Sequence, residues 1–186
     1  MIIRAAINDL PHHEEDIYVE PESRFWTLRD KYIVGNVTID HHCSNYELKN
    51  LYIKGKLLVK DANWQASFQN IFVDESPGHG FQIGEPTRST AGCALRFENC
   101  FSRWAKHWGW YVTNQLGLSM TTCSADVSGA GGFLIVSTSG KFHLTAESNP
   151  VGAWFYDAGG ELSRGSFLTD SVEPLRISGG STLKVL

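Results

Sequence analysis

The stretch "FENCFSRWAKHWGWYV", residues 97–112, decides how this chain folds. A buried core does not want Arg103, Lys106 and His107, and a solvent loop does not want Trp104, Trp108 and Trp110. Two other stretches align with it without a gap: "FQNIFVDESPGHGFQI" (68–83) and "MTTCSADVSGAGGFLI" (120–135). In each, an apolar residue leads, and Ile71, Cys100 or Cys123 comes three positions later. Nine residues further stands Gly80, Gly109 or Gly132, followed at once by an aromatic, Phe81, Trp110 or Phe133. Two residues on comes Ile83, Val112 or Ile135.

The pattern continues more weakly on both sides. "KNLYI" (49–53) mirrors "QNIFV" (69–73), while Ala153–Trp154–Phe155–Tyr156 and Pro174–Leu175–Arg176–Ile177 follow downstream, giving repeat lengths of 20, 29, 23, 21 and 21. A unit of this size without helical periodicity does not bury its own apolar face, and stacking onto the next unit solves the problem. The expectation is an all-β fold: a parallel β-solenoid of about five to seven coils, each strand about 4.8 Å from the next. A β-sandwich also has short strands and Gly-rich turns. It gives no reason for a Gly–aromatic pair nine residues after the same apolar position three times over. Residues 1–31 break the repeat and read as an N-terminal cap or oligomer-contact segment, so the β-helix domain is placed at 32–186. The closing "RISGGSTLKVL" reads as two strands around a Gly-Gly turn that pair with a neighbouring chain.

Alternation along each strand assigns the faces. Ile71, Cys100, Cys123 and Leu144 form one inward column, and Val73, Ser102, Ala125 and Ala146 the next. Phe81, Trp110, Phe133 and Trp154 form a third, with Ile83, Val112, Ile135 and Tyr156 beside it. Cys100 and Cys123 then serve as small apolar groups, not as a disulfide. Asn50, Asn70 and Asn99 share one turn position, where asparagine tolerates the backbone and bonds its copies above and below.

Composition narrows the function classes. A formal net charge of −4 gives nucleic acid no bulk electrostatic reason to bind. No apolar run reaches 18 residues, so no membrane insertion is expected. The start "MIIRAAINDLPHHEED" lacks the layout of a signal peptide. The four cysteines form no CxxC pair, and "DHHC" at 40–43 lacks the zinc-binding and membrane context of an acyltransferase. His41 and His42 read as an exposed strand end. No cofactor or metal is expected.

The same register lines up an outward column of Asp74, Arg103, Asp126 and Glu147, and a second of Gln82, Tyr111, Leu134, Phe155 and Arg176. Trp104, Lys106, His107 and Trp108 lie on the loop between. Flat rings beside carboxylates and a guanidinium suit a sugar polymer, whose apolar ring faces lie on aromatics while its hydroxyls take hydrogen bonds. The expected substrate-binding residues are Arg103, Trp104, His107, Trp108, Tyr111 and Gln82. Hydrolysis needs two carboxylates, drawn here from Asp126, Glu147 and Asp74. Asp126 and Glu147 on adjacent coils suit a retaining separation, and Asp74 with Asp126, two coils apart, an inverting one. A charge ladder that merely relieves strand stacking is the alternative.

The coils "NIFVDESPGHGFQI" and "NCFSRWAKHWGWYV", with their rhythm of Asn–apolar then Gly–aromatic, resemble the single-stranded right-handed parallel β-helix of the pectate-lyase-like superfamily. Within it they look most like bacteriophage tailspikes. That resemblance implies a homotrimeric receptor-binding protein of the virion tail, or an extracellular one, that recognises bacterial surface polysaccharide and in many cases cleaves it as an endoglycosidase. No family catalytic motif can be laid onto this chain residue by residue, and the chain is short for a complete tailspike. A non-catalytic adhesive piece of a tail fibre and a polysaccharide lyase are the alternative readings.

Overall fold

The computed structural model describes residues 10–86, 90–163 and 166–186. Its described residues contain no helix, and so none long and apolar enough to cross a membrane. The strands stack in parallel into a solenoid with two main walls, one of 11 strands and one of 8. The second wall runs Ile17–Val19, Val37–Ile39, Leu57–Val59, Phe81–Ile83, Trp108–Thr113, Gly131–Val136, Val151–Tyr156 and Glu173–Ser178. Each strand is one turn, so there are about eight turns against the five to seven expected.

The additional turn comes largely from the N-terminus. Ile17 pairs with Val37, and Thr27–Val34 pairs with Glu47–Lys54 in the same parallel sense as the later coils. Residues 12–31 therefore carry the ladder across the expected boundary at 32. Their coil is harder to recognise because its inner residues Ile17, Val19, Trp26 and Leu28 are only partly buried, at the end of the stack.

In five successive coils the first wall bends at a residue with left-handed backbone, whereas the strand Ser139–Glu147 runs without one. Asp30, Asn50, Asn70, Asn99 and Thr122 have φ between +50° and +55°. The bend resets the alternation, so Leu48 and Leu51, three apart, both point inward. Asparagine tolerates this conformation better than other L-residues. Its side chain also closes a ladder: Asn50 Nδ2 donates to Asp30 Oδ1 at 2.8 Å, and Asn70 Nδ2 to Asn50 Oδ1 at 3.0 Å.

The core follows the expected columns through the first wall. Phe101 pairs with Phe72 on one side and Ser124 on the other, which sets buried Cys100 between Ile71 and Cys123. Burial pushes the Cys100 thiol up to about 12, as befits an apolar filler. In the second wall Phe81 and Trp110 stack with centroids 3.7 Å apart, and Trp110 Nε1 donates to the Ser124 carbonyl at 2.9 Å. The Gly80, Gly109 and Gly132 column is needed for close approach. A Cβ on Gly109 would lie 2.7 Å from Ala125 Cβ and 3.0 Å from the Gly132 carbonyl oxygen.

One register differs from expectation. The step from Phe133 is 20 residues, to Ala153, not 21 to Trp154. Phe155 therefore joins the buried column below Ile135, Trp154 turns outward beneath Leu134, and Tyr156 leaves the core for an exposed position. The reason is volume. Ala153 fits where Trp154 would have to stack in a column that already holds Trp110 and Phe133.

Candidate functional site

The outward charged column of the first wall stands as the repeat dictates. Lys54, Asp74, Arg103, Asp126, Glu147 and Asp170 are successive register partners. Within it Arg103 closes a two-pronged ion pair on Asp74, Nε to Oδ1 at 3.2 Å and Nη2 to Oδ2 at 2.7 Å. The Tyr52 hydroxyl donates to the same Oδ2. Asp74 is buried, at 1% exposure. Its carboxylate is thus a structural counter-ion to Arg103 with no face left for a substrate, and the Asp74–Asp126 pairing has the guanidinium between its members. Arg103 also lies over Trp104 at 4.1 Å and over Phe72 at 5.1 Å.

Asp126 and Glu147 remain open to solvent to different degrees. Glu147 is exposed, whereas Asp126 is half-buried. Burial raises the Asp126 carboxyl above its ordinary value; Asp170 adds to the rise, and Arg103 and the Val127 N–H oppose it. Two carboxyls on neighbouring rungs, one raised and one solvated, are an unequal pair.

A corner carries the chain from the first wall to the second. Its first residue is left-handed at four successive rungs: Glu75, Trp104, Val127 and Ser148 have φ of +52°, +52°, +49° and +54°. Trp104 is 47% exposed there. Ala105 turns inward, Lys106 and His107 face solvent, and Trp108 opens the second wall. The residues expected to bind one ligand thus occupy two faces. Arg103 and the carboxylates lie on the first wall, Gln82 and Tyr111 on the second, and the run 104–108 is the edge joining them.

The outer face of the second wall carries Thr38, Leu58, Gln82, Tyr111, Leu134, Trp154 and Arg176 in register. Trp108 and Trp154 lie 6.3 Å apart, and Trp154 is held by a hydrogen bond from Nε1 to Ser178 Oγ at 2.8 Å. Arg176 lies over the Trp154 ring at 4.7 Å and donates from Nε to Glu173 Oε1 at 2.9 Å. Phe155, expected in this column, is buried instead.

Two features escape the sequence reading. His79 stacks on Tyr111 at 4.8 Å, and its Nδ1 accepts from the Trp108 N–H at 3.4 Å. Burial first, then the neighbouring His107 and Lys56, lower its imidazole to about 4. The alignment of 68–83 with 97–112 puts His79 opposite Trp108, a signal present but unused. The second feature is His41, read as an exposed strand end. It is largely buried, with Asp40 at Nδ1 and Glu85 Oε2 at 2.7 Å from Nε2. Burial alone would raise the Asp40 carboxyl, but hydrogen bonds from Lys60, Tyr18 and the His41 N–H hold it well below the usual carboxylate range. The contact ties the segment after Phe81–Ile83 to the coil of Val37–Ile39, 44 residues away in sequence. Among the described residues no group of three or more His, Cys, Asp or Glu is placed to hold a metal ion.

No family model and no curated protein matches the chain. Among solved structures it is similar to the gp42 tailspike of Acinetobacter phage vb_AbaP_AS12, with a TM-score of 0.59 at 15% identity. The similarity covers 75% of this chain and 28% of that one, so the chain spans well under a third of that tailspike's length. At this identity the likeness is one of fold: a β-helix shared with a phage tailspike.

Proposed function

We propose that this chain is the glycan-reading β-helix of a tailspike-like receptor-binding protein, and that it cleaves bacterial surface polysaccharide as an endoglycosidase. The observation that carries the reading is the unequal Asp126–Glu147 pair next to the exposed ring of Trp104. Sugar rings lie on the tryptophan while hydroxyls meet the Arg103 guanidinium and the carboxylates. The raised carboxyl of Asp126 stays protonated longer and serves as the acid, and solvated Glu147 serves as nucleophile. Neighbouring rungs about 4.8 Å apart match the short carboxyl separation of a retaining enzyme. With Asp74 locked on Arg103, the inverting alternative loses its second carboxylate. Assembly as a homotrimer and a place on the virion tail, or outside the cell, belong to the same reading and are supported by the likeness to a phage tailspike.

The test is incubation with lipopolysaccharide and capsule from a panel of strains, reading new reducing ends and the anomeric configuration of the product by NMR. Cleavage with retention is expected. Asp126→Asn and Glu147→Gln should each lower the rate at least 100-fold, in line with loss of acid or nucleophile function, with binding kept. Unsaturated sugar products would establish a lyase instead, and rates unchanged in both variants would remove these residues from the chemistry. Binding without cleavage in the wild type would leave the adhesive reading.

A further inference from the structure

At the lower corner of the second wall, on the coils before Tyr111, lies a hollow of about 370 Å³ lined by Asp16, Asn36, Thr38, Lys56, His79 and Gln82 among others. That is the size of a small ligand pocket. Lys56 is partly buried there and makes no ion pair with any carboxylate among the described residues. Asp16, the carboxylate on the lining, is taken up by Asn36: its Oδ1 accepts from the Asn36 N–H at 2.7 Å and from Nδ2 at 3.2 Å. His79 is held between the Tyr111 ring at 4.8 Å and His107 at 5.6 Å. An unpaired ammonium, an imidazole and the neutral donors Gln82 and Thr38 thus converge on one concavity. Asp16 is exposed and keeps its charge, but neither it nor any other carboxylate among the described residues closes an ion pair on Lys56, which leaves that ammonium open to an external anion.

We propose that this hollow binds an anionic group, and that the group is the carboxylate of an acidic sugar. The anion site stands on the geometry of the hollow, and its assignment to a sugar rests on the glycan reading above. Lys56 supplies the fixed charge. Gln82 and Thr38 on the lining suit sugar hydroxyls. His79 couples the site to protons. The groups facing it are Lys56 and His107, which disfavour its protonation, and Asp16, which lines the same hollow. A bound anion works against that balance: His79 takes its second proton at Nδ1, in place of the long 3.4 Å bond from the Trp108 N–H, so binding takes up a proton and tightens as the pH falls toward the free midpoint of about 4.

The experiment follows the ring nitrogen signals of His79 by NMR over pH 3–8, alone and with sodium glucuronate, inorganic phosphate or glucose. The midpoint, about 4 without ligand, is expected to rise by at least one unit with glucuronate and to stay put with glucose. Lys56→Met should abolish the rise while leaving the fold's amide spectrum intact. A midpoint unmoved by either anion, or moved equally in Lys56→Met, would overturn the site. Movement by phosphate alone would overturn the acidic-sugar assignment. Glucuronate bound at His79 by a protein that retains no surface polysaccharide would support the hollow and sink the glycan reading of the whole chain.

Discussion

Trp104 occupies a backbone conformation that a bulky L-residue resists. Left-handed φ costs roughly 1–2 kcal/mol relative to the right-handed region, and the corner imposes it at four successive rungs. Glu75 and Ser148 meet that demand with small or flexible side chains and Val127 with an exposed β-branched one, whereas Trp104 holds a large ring out in solvent over Arg103. Strain retained at an exposed aromatic points to a use for the ring. Trp104→Asn should therefore raise stability by about 1 kcal/mol while weakening glycan binding at least tenfold. The two readouts are thermal unfolding and a retention assay on surface polysaccharide. A gain in stability with binding unchanged would reduce Trp104 to a stacking cover for Arg103.

At the scale of the strand, the Gly–aromatic pair has a mechanical basis. The glycine lets the second wall lie directly on the small column Ser102, Ala125 and Ala146, so that the next residue, Phe81, Trp110 or Phe133, fills the cavity. Gly109→Ala is expected to cost about 2 kcal/mol through overpacking, read as a shift of the denaturation midpoint. Gly78→Ala, whose added methyl meets nothing within 4 Å, should change stability by less than about 0.5 kcal/mol. Equal effects at the two positions would contradict the close-approach account. The same motif explains how much was legible in advance. Where it is strong, from Ile71 to Ile135, inward and outward columns could be read off the sequence because spacing alone fixes a parallel register. At Trp154 the motif fades to Gly–Ala–Trp–Phe, and spacing no longer says which aromatic turns in; the volume left by Trp110 and Phe133 decides. The candidate site was legible as a column of charges but not as a pairing. Asp74 and Asp126 look alike in sequence, and only the side-chain geometry shows that Arg103 and Tyr52 have claimed one of them. His79 and Lys56 meet across 23 residues of chain in a coil lengthened by its loops, a convergence that no local pattern announces.

Across the whole molecule, each turn packs mainly on its two neighbours, with Trp108–Trp154 and His41–Glu85 reaching over one turn, so stability is close to a sum of turns and the interfaces between them. The interfaces are unequal. In the middle, Phe81, Trp110, Phe133, Val112 and Ile135 are all at 1% exposure or less, and Phe97 meets the Trp110 ring edge-on at 5.4 Å. Toward the ends the apolar residues Ile17, Val19, Leu175 and Leu183 are only partly buried, and Val172, Ile177 and Val185 are exposed. Among the described residues, an end turn also has one stacking partner instead of two. Opening should then proceed from the ends inward, with local free energies rising from near zero toward the global value. Hydrogen exchange read by mass spectrometry is expected to show Trp108–Thr113 and Gly131–Val136 protected longest, Val37–Ile39 and Val151–Tyr156 less, and Ile17–Val19 and Thr182–Val185 least. Trp110→Ala should erase the gradient by splitting the stack, because its ring is packed between Phe81 and Phe133 and joins two interfaces at once. Uniform protection along the wild-type chain would mean that the turns unfold as one cooperative body, and slow exchange at Ile17–Val19 would mean that the N-terminal turn is covered by a further surface, as the expected oligomer contact requires.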